Sequence, residues 1–269
     1  MPFTLSTWNI NSVRLRIGLV ERFLSETKPD VLCLQETKVQ DDKFPLSDFR
    51  KMGYRHIAIN GQKGYHGVAI VSRIPFTTQS AKKFCGKDDA RHVSVTFEEG
   101  SKAAGLTVHN FYVPAGGDIP DPEANEKFAH KLSFLDEMRA WGQTDKPAAQ
   151  KAILVGDLNV APLVNDVWSH KQLLDVVSHT PIECEKFTAA QNDGQWVDAI
   201  RKLTPEPEKI YTWWSYRAQD WEKSDRGRRL DHVWVSEDLA PNVKKSAILR
   251  DARNWERPSD HVPVTITLK

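Results

Sequence analysis

One short stretch decides the fold: Asp30-Val31-Leu32-Cys33-Leu34-Gln35-Glu36-Thr37-Lys38, a continuous apolar run followed at once by a carboxylate and an ammonium group. Runs of this kind are typical of a strand in a sheet that is covered on both faces. Cys33 lies inside the run and is interpreted as a small buried hydrophobe. The stretch therefore predicts a buried strand over residues 30–35 and places polar side chains at its end.

Strands and helices alternate on both sides of this stretch. A strand is predicted over residues 3–9, and apolar residues at helical spacing predict a helix over residues 12–27. Further strands are predicted over residues 67–72, 92–97, 106–112, 151–155, 230–236, 243–250 and 262–268, and further helices over residues 122–141 and 185–203. The alternation predicts one domain, residues 1–269, of mixed α/β type with two packed sheets.

Charge and cysteine content narrow the class of protein. The 37 Lys and Arg residues nearly balance the 36 Asp and Glu residues, so a net charge of +1 neither indicates nor excludes a nucleic-acid partner. Three cysteines without a CxxC motif fit a reducing, intracellular setting and exclude a disulfide-stapled scaffold. No stretch is apolar enough to cross a membrane. We therefore expect a soluble, cytoplasmic protein that is monomeric and has no membrane partner.

Polar side chains recur where the predicted strands begin or end. They are Asn9, Asn11, Glu36, Tyr112, Asp157, Asn159, Asp231, Asp260 and His261. Because side chains at strand ends of an α/β sheet converge in one crevice, we expect these groups to lie close together. Carboxylates and amides with a single histidine and no cysteine suit a hard cation such as Mg²⁺ or Mn²⁺. A metal, a base and amide donors are what phosphodiester hydrolysis requires.

Each of these residues also has an ordinary structural interpretation. Glu36 alone is typical of a surface carboxylate after a strand, and the Gly156–Asn159 segment is good turn chemistry. Asp260 and His261 alone are typical of a solvated turn. The functional interpretation depends on their combination at successive strand ends.

Seven motifs in a fixed order resemble the exonuclease III family of abasic-site (AP) endonucleases. They are Trp8–Asn11, Leu34–Lys38, Tyr65–Ala69, Tyr112–Pro114, Gly156–Pro162, Arg229–His232 and Ser259–Val264, and the resemblance runs from Phe3 to Leu268. The wider superfamily, with DNase I-like enzymes and inositol-phosphate phosphatases, shares only the acidic and histidine motifs, whereas Lys38 and Trp213 favour the DNA-repair branch. The resemblance implies a four-layered α/β sandwich, two packed mixed β-sheets flanked by helices. It also implies Mg²⁺-dependent cleavage of duplex DNA 5′ to abasic sites and removal of nucleotides or blocking groups from recessed 3′ ends, with Mn²⁺ able to substitute.

The same resemblance implies a role for each polar residue. Glu36 resembles the principal metal ligand, with Asn11 nearby and Asp260 joining through water. Asp157 resembles the group that orients or deprotonates the attacking water, and Asn159 the amide that places it. His261 is similar to the family's phosphate-binding histidine, oriented by Asp231, while Asn9 and Tyr112 resemble further phosphate ligands. Which residue takes the proton is left open at this point.

Recognition of damage is expected in a small apolar pocket. By resemblance, Trp213 and Leu230 form its walls, and Arg228 stands where some relatives carry an aromatic residue. Arg228 could stack over the sugar, pair with a flanking phosphate or leave one side of the pocket open. Lys38 and Tyr65 are further candidate DNA contacts.

The basic surface that DNA needs is predicted from a second set of residues. They are Lys63, Lys82, Lys83, Arg217, Lys223, Arg226, Arg228 and Arg229, interleaved with aromatic residues. Ala115 departs from the family, which usually carries an amide there that contacts DNA phosphate.

Two other functions compete with a DNA-repair nuclease. A phosphoesterase of small or lipid substrates in the same superfamily predicts no duplex-DNA binding and no aromatic pocket beside the metal. A DNA-binding or scaffolding protein that has lost catalysis requires a damaged catalytic set, and here Glu36, Asp157, Asn159, Asp231 and His261 are all present.

Overall fold

A computed structural model describes residues 2–269; Met1, the first residue of the predicted domain, lies outside the described residues. The strands are β1 Phe3–Asn9, β2 Val31–Gln35, β3 His56–Asn60, β4 Val68–Ser72, β5 Phe76–Ser80, β6 His92–Phe97, β7 Thr107–Tyr112, β8 Ala152–Asp157, β9 Trp196–Asp198, β10 Asp231–Ser236, β11 Val243–Ile248 and β12 Val264–Leu268. The α-helices are α1 Ile17–Thr27, α2 Leu46–Lys51, α3 Glu126–Thr144, α4 His170–Leu173, α5 Pro181–Asp193, α6 Ala199–Leu203 and α7 Trp221–Ser224.

The strands of residues 2–269 form two mixed six-stranded sheets. One has the order β11-β12-β1-β2-β4-β3 and the other the order β5-β6-β7-β8-β10-β9. A parallel pair lies at the centre of each sheet, β1 beside β2 and β7 beside β8, and the other pairings are antiparallel. The prediction of two packed mixed sheets is confirmed.

Alternation of side chains along the strands produces four layers. Val31 and Cys33 of β2 belong to the apolar core between the sheets, with residues of β6, β7, β8 and β10. Leu32 and Leu34 point the other way and pack with α1 and α2. On the outer face of the second sheet, residues of β8 and β10 pack with α3 and α5. The apolar run of β2 is continuous because both of its faces are covered, and the predicted four-layered sandwich is confirmed.

The predicted helix over residues 185–203 is wrong as a single element. A capping box between Thr180 and Glu183 starts α5 at Pro181. Gly194 ends the helix, and a Cβ there would lie 2.8 Å from the carbonyl oxygen of Ala190. The chain then forms β9, and the Asp198 side chain caps α6.

Three strands were absent from the sequence prediction, namely β3, β5 and the three-residue β9. The first two form sheet edges, and their residues are mostly half-buried or exposed, so their apolar pattern is weak. No helix in the described part of the chain has the length and apolarity needed to cross a bilayer.

A buried amide ties the two sheets together behind the strand ends. Asn110 on β7 donates from Nδ2 to the carbonyl oxygens of Leu34 and Ala69, at 2.9 and 3.0 Å, and accepts from Gln35 Nε2 at 2.7 Å. Asn110 and Gln35 are both fully buried. Removal of the amide would leave several polar groups in the core without partners.

We predict that Asn110→Ala lowers the free energy of unfolding by about 3 kcal/mol, from lost hydrogen bonds and the cavity left behind. Urea unfolding followed by Trp fluorescence measures it. Asn60→Ala is the matched control, because Asn60 makes a similar bond to the carbonyl oxygen of His92 from a half-buried position. Equal losses in the two variants would contradict the role of Asn110.

Candidate active site

The strand ends of both sheets meet at one place. In the second sheet, Tyr112, Asp157 and Asp231 lie side by side, because Asp157 pairs with Tyr112 on β7 and with Asp231 on β10. In the first sheet, Asn9 ends β1 and Glu36 follows β2. The Asn9 amide donates to Glu36 Oε1 at 2.9 Å and to Asp157 Oδ2 at 2.8 Å, and so joins the two sheets.

Asp157 is buried at the centre of this group. Its Oδ2 accepts from Asn9 and from Asn159 Nδ2, the latter at 3.1 Å, and lies 3.6 Å from His261 Nε2. Burial raises the pKa of Asp157 to about 7, against the opposing charge of His261 and with the help of the neighbouring carboxylates. A carboxylate with such a pKa is suited to accept a proton near neutral pH.

His261 lies between two acids. Its Nδ1 is 2.8 Å from Asp231 Oδ2, and its backbone N–H donates to Ser259 Oγ. Burial by itself would lower the pKa of His261, but the carboxylates of Asp231 and Asp157 outweigh it and raise the pKa to about 10. The ring is therefore an imidazolium at neutral pH, held in orientation by Asp231. Thr212 Oγ1 in turn accepts from the backbone N–H of Asp231.

Glu36 is the second acidic centre. The Tyr112 hydroxyl donates to its Oε1 at 2.9 Å, and Lys38 Nζ lies 2.8 Å from its Oε2. Burial would raise the pKa of Glu36, but the Lys38 ammonium and the hydrogen bonds lower it overall. Burial, together with the nearby carboxylates of Glu36 and Asp157, raises the pKa of the Tyr112 hydroxyl, which therefore acts as a hydrogen-bond donor.

Asn11 connects Lys38, the partner of Glu36, to Asp260. Its Oδ1 accepts from Lys38 Nζ at 2.6 Å, and its Nδ2 donates to Asp260 Oδ1 at 3.1 Å. Trp213 Nε1 donates to the other oxygen of Asp260 at 3.0 Å. These contacts bring the three predicted metal ligands, Glu36, Asn11 and Asp260, into one connected set.

Several site residues have a left-handed backbone. Glu36, Lys38 and Asn159 have φ values of 48°, 53° and 54°, a conformation that is uncommon for residues other than glycine. The segment that follows β2 is held there by hydrogen bonds from Thr37 N to Gly67 O and from Lys38 N to His66 O. A Cβ at Gly67 would lie 2.2 Å from Thr37 Oγ1. Close packing therefore holds the backbone strain at the site.

A cleft of about 850 Å³ opens beside these groups. Its lining includes Glu36, Asp157, His261, Trp213 and Leu230. Trp213 is half-buried, whereas its neighbour Trp214 is buried in the core. The structure thus places Trp213 and Leu230 where the sequence analysis expected pocket walls.

Arg228 lies in the lining of the cleft. Its Nη1 donates to the carbonyl oxygen of Val177 at 3.0 Å and to Ser178 Oγ at 2.9 Å, and its guanidinium carbon lies 5.2 Å from the Trp213 ring centroid. The guanidinium thus finds acceptors within the protein and lies beside Trp213. The three arrangements expected of Arg228 toward DNA stay predictions.

Two predicted DNA contacts differ in placement from this group. Tyr65 is 70% exposed and lies outside the lining of the cleft. Arg229, expected in the basic surface, is fully buried and pairs with Asp166 and Asp198. Its assignment to a DNA-binding surface is wrong, because two buried carboxylates hold it inside the protein.

A buried ion pair beneath the site was missed by the sequence analysis. Lys131 of α3 and Glu183 of α5 are both fully buried and in contact. Lys131 Nζ also donates to the carbonyl oxygens of Asn159 and Ala115, at 2.7 and 3.3 Å. The sequence signal that could have revealed this pair is Lys131 itself, a lysine that lies among Phe128 and the other apolar residues of the buried face of α3. The pair supports the loop that carries Asn159.

Two groups of side chains offer ligand atoms for a cation. Asp157, Asp231 and His261 have ligand atoms within 4.8 Å of one another, but His261 Nδ1 is already paired with Asp231 at 2.8 Å. Glu36 and Asn11 fit better, because their oxygens already surround one cation, the Lys38 ammonium. Oxygen donors of this kind suit a hard divalent metal.

Buried acids, amides and an imidazolium lie at the shared edge of two packed sheets. This arrangement defines the protein as a phosphoester hydrolase. Residues 6–261 match the model of the Endonuclease/Exonuclease/phosphatase family, and the chain belongs to that family. It is 30% identical to exodeoxyribonuclease III of Haemophilus influenzae, over 98% of each chain.

Solved structures agree with this assignment. An AP endonuclease from Archaeoglobus fulgidus superposes with a TM-score of 0.90 and 32% identity, over 99% of each chain. A 3′ phosphatase from Neisseria, solved with a product DNA hairpin, superposes with a TM-score of 0.89 and 30% identity, also over 99% of each chain. The relatives and neighbours are thus nucleases and phosphatases of DNA, and the predicted resemblance is confirmed.

We predict that Asp231→Asn lowers the pKa of His261 by about two units, because one paired carboxylate raises an imidazole pKa by that order. NMR titration of the histidine ring nitrogens measures the change. In the wild type the ring should stay protonated until the pH approaches 10. His170→Gln, at an exposed histidine, serves to assign the surface signals. An unchanged His261 midpoint in Asp231→Asn would contradict the electrostatic role of Asp231.

Proposed function

We propose that this protein is a divalent-metal-dependent DNA-repair nuclease, which hydrolyses the phosphodiester 5′ to abasic sites in duplex DNA and removes nucleotides or blocking groups from 3′ ends. The observation that carries the proposal is the buried Asp157 carboxylate, which lies between two amides and an imidazolium at the base of a cleft walled by Trp213. The names of the relatives, exodeoxyribonuclease III and AP endonuclease, support the same substrate class. The aromatic wall disfavours a phosphoesterase of small or lipid substrates.

The hydrolytic step follows from the surroundings of Asp157. Its carboxylate takes a proton from water as the water oxygen adds to phosphorus. The bond from phosphorus to O3′ breaks, and the leaving O3′ oxygen takes a proton from bulk water to become the 3′-hydroxyl. The pKa of about 7 makes Asp157 a competent base near neutral pH. Asn159 Nδ2, within 3.1 Å of the carboxylate, positions the water. Asp157 is therefore our proposal for the residue that takes the proton.

Charge on the phosphate is balanced by fixed donors. The His261 imidazolium provides a positive charge that Asp231 holds in place, and it acts on the non-bridging oxygens. The amide of Asn9 and the hydroxyl of Tyr112 donate to Glu36 Oε1 in this structure, and they exchange this acceptor for a phosphate oxygen when the substrate binds. The His261 ring is held by Asp231 throughout, so it needs little reorganisation when charge develops.

Glu36, Asn11 and Asp260 would hold the metal, with Mg²⁺ as the natural ion and Mn²⁺ as a substitute. When bound, a divalent cation supplies Lewis-acid stabilisation of the phosphate and the leaving oxygen. The Lys38 ammonium already balances the charge of Glu36 and donates to the side-chain oxygen of Asn11. It must therefore move aside, or share these oxygens, when a metal ion binds.

The remaining proposals concern the DNA contacts, the oligomeric state and the cellular location. Lys38, Tyr65 and Arg226 are proposed as DNA contacts; Arg226 lies in the lining of the cleft, with its guanidinium 4.6 Å from the Trp168 ring. We further propose that residues 1–269 act as one catalytic domain, as a monomer and in the cytoplasm.

The proposed reaction is tested with a duplex that carries one tetrahydrofuran abasic analogue, in Mg²⁺ and in EDTA. The wild type should nick 5′ to the analogue only with metal. Asp157→Asn should lower kcat by at least about 10³-fold, because it removes the base and its charge while the shape is kept, and DNA affinity should be retained or increased. Gel assays of single turnovers and fluorescence anisotropy measure the two effects. Loss of binding together with catalysis would make Asp157 a structural residue, and inactivity of the wild type would overturn the proposed function.

A second prediction concerns the metal. Glu36→Gln should lower activity by about 10²-fold or more at low Mg²⁺, since an amide is a weaker ligand than a carboxylate for a hard cation. Higher Mn²⁺ should restore part of the activity. Titration of activity with each metal measures the effect, and circular dichroism checks folding. Glu26→Gln, on the exposed face of α1, is the control. Wild-type behaviour of Glu36→Gln at low Mg²⁺ would exclude Glu36 as a ligand.

A further inference from the structure

Two of the three proposed metal ligands belong to segments that contain a left-handed turn of the backbone. Asn11 has a φ of 48° and is followed by Ser12 at 87°. Arg257, three residues before Asp260, has a φ of 50°. Such values are uncommon for residues other than glycine and cost free energy, so they persist only where neighbouring contacts hold them.

One buried side chain contacts both turns. Arg16 is 8% exposed, and its Nη1 donates to the carbonyl oxygen of Asn11 and, at 3.4 Å, to that of Ile10. Its Nε donates to the carbonyl oxygen of Arg257 at 3.0 Å. Because the guanidinium is planar and rigid, it fixes the distance between the two turns.

Tyr216 adds a second connection between Arg16 and the segment that leads to Asp260. Arg16 Nη2 donates to the Tyr216 hydroxyl oxygen at 3.0 Å, and this hydroxyl donates to the carbonyl oxygen of Pro258 at 2.8 Å. Tyr216 itself lies in the lining of the cleft. Arg16 is therefore joined to two successive carbonyl groups of this segment, one directly and one through Tyr216.

The partners of Arg16 indicate that it holds a distance and does not neutralise an acid. Its hydrogen bonds in residues 2–269 go to carbonyl oxygens and one phenol, and none goes to a carboxylate. Across the gap that Arg16 spans, Asn11 Nδ2 donates to Asp260 Oδ1 at 3.1 Å. A change in the separation of the two turns would therefore move these two side chains relative to each other.

We propose that Arg16 is a positioning residue that sets the separation of Asn11 and Asp260, and thereby the affinity of the site for its divalent metal. The inference rests on the proposed function, because it concerns the metal site named there. Arg16 acts through the two turns and through Tyr216, and it takes no part in proton transfer. Removal of a group that orients metal ligands typically weakens metal binding by about 10- to 100-fold.

The charge of Arg16 by itself predicts the opposite effect. Removal of a positive charge near the site would favour the binding of a cation, because it lessens the repulsion between them. Loss of positioning would weaken the binding. The direction of the change in metal affinity therefore separates the two effects.

The test measures the binding of Mn²⁺ to the DNA-free protein, from the electron paramagnetic resonance signal of the free ion. Binding that is lost in Glu36→Gln defines the site. For Arg16→Met, we expect the Kd of this site for Mn²⁺ to rise by about 10-fold or more. In the nicking assay on the tetrahydrofuran duplex, the Mg²⁺ concentration for half-maximal activity should rise in parallel, whereas kcat at saturating Mg²⁺ should stay within about threefold of the wild type.

Arg16→Lys separates the span of the guanidinium from its charge. Lysine keeps the positive charge but has a single nitrogen, which cannot reach both turns at once. The Kd for Mn²⁺ should therefore still rise, by about fivefold. This variant keeps the test valid if Arg16→Met folds poorly.

Arg253→Met is the matched control. Arg253 is 6% exposed, and its guanidinium carbon lies 4.9 Å from the centroid of the same Tyr216 ring. Its hydrogen bond goes to the carbonyl oxygen of Trp214, and to neither turn. Arg253→Met should lower the melting temperature but leave the Kd for Mn²⁺ within about twofold of the wild type.

An unchanged or lower Kd in both Arg16 variants would overturn the inference while leaving the proposed function intact. An equal rise in Arg253→Met would also overturn it, because a general loosening of the fold would then suffice. If Glu36→Gln binds Mn²⁺ as tightly as the wild type, or if the wild type fails to nick the tetrahydrofuran duplex, the proposed function itself is wrong and the inference falls with it. A rise in Kd confined to the Arg16 variants would establish the positioning role.

Discussion

The whole arrangement depends on keeping one carboxylate, Asp157, almost completely out of water. An isolated buried carboxylate would simply take up a proton, and Asp157 is suited to the proposed role of base because two amides and one imidazolium surround it. One of the amides comes from the other sheet, so the two sheets must meet in register at their ends. The fold thus sets the pKa of the base, and the packing of the sheets is part of the chemistry.

The second acidic centre is balanced differently. Around Asp157 the charge is offset by His261, whose pKa Asp231 raises, whereas Glu36 is offset by the ammonium of Lys38. His261 is fixed by its bond to Asp231 on the neighbouring strand. In the proposed mechanism, the Lys38 ammonium, whose side chain is 29% exposed, gives way to a divalent ion. One acidic centre thus has a fixed counter-charge and the other has one that can be replaced, which suits the proposed metal-assisted hydrolysis.

Much of this could be predicted from the sequence, because strand ends carry a local signal. A polar residue after an apolar run is visible in the chain itself, and this placed Glu36 and Asp157 correctly. Arg229 has no such signal: its run of basic neighbours favours solvent, and only tertiary pairing with Asp166 shows that it is buried. The end of the helix at Gly194 is followed by a left-handed backbone at Gln195, which the apolar pattern does not indicate. The local sequence pattern carries no information on which charges and side chains meet across long distances in the chain.

The ion pair of Lys131 and Glu183 bears on how this site can change over generations. Both charges are shielded from water. A lineage that loses one partner first therefore passes through a protein with an unpaired buried ion, which lowers the free energy of unfolding by about 3–5 kcal/mol. The two codons are therefore coupled although they lie on different helices. Because Lys131 also holds the carbonyl oxygen of Asn159, a substitution at Glu183 would reach Asn159 through Lys131.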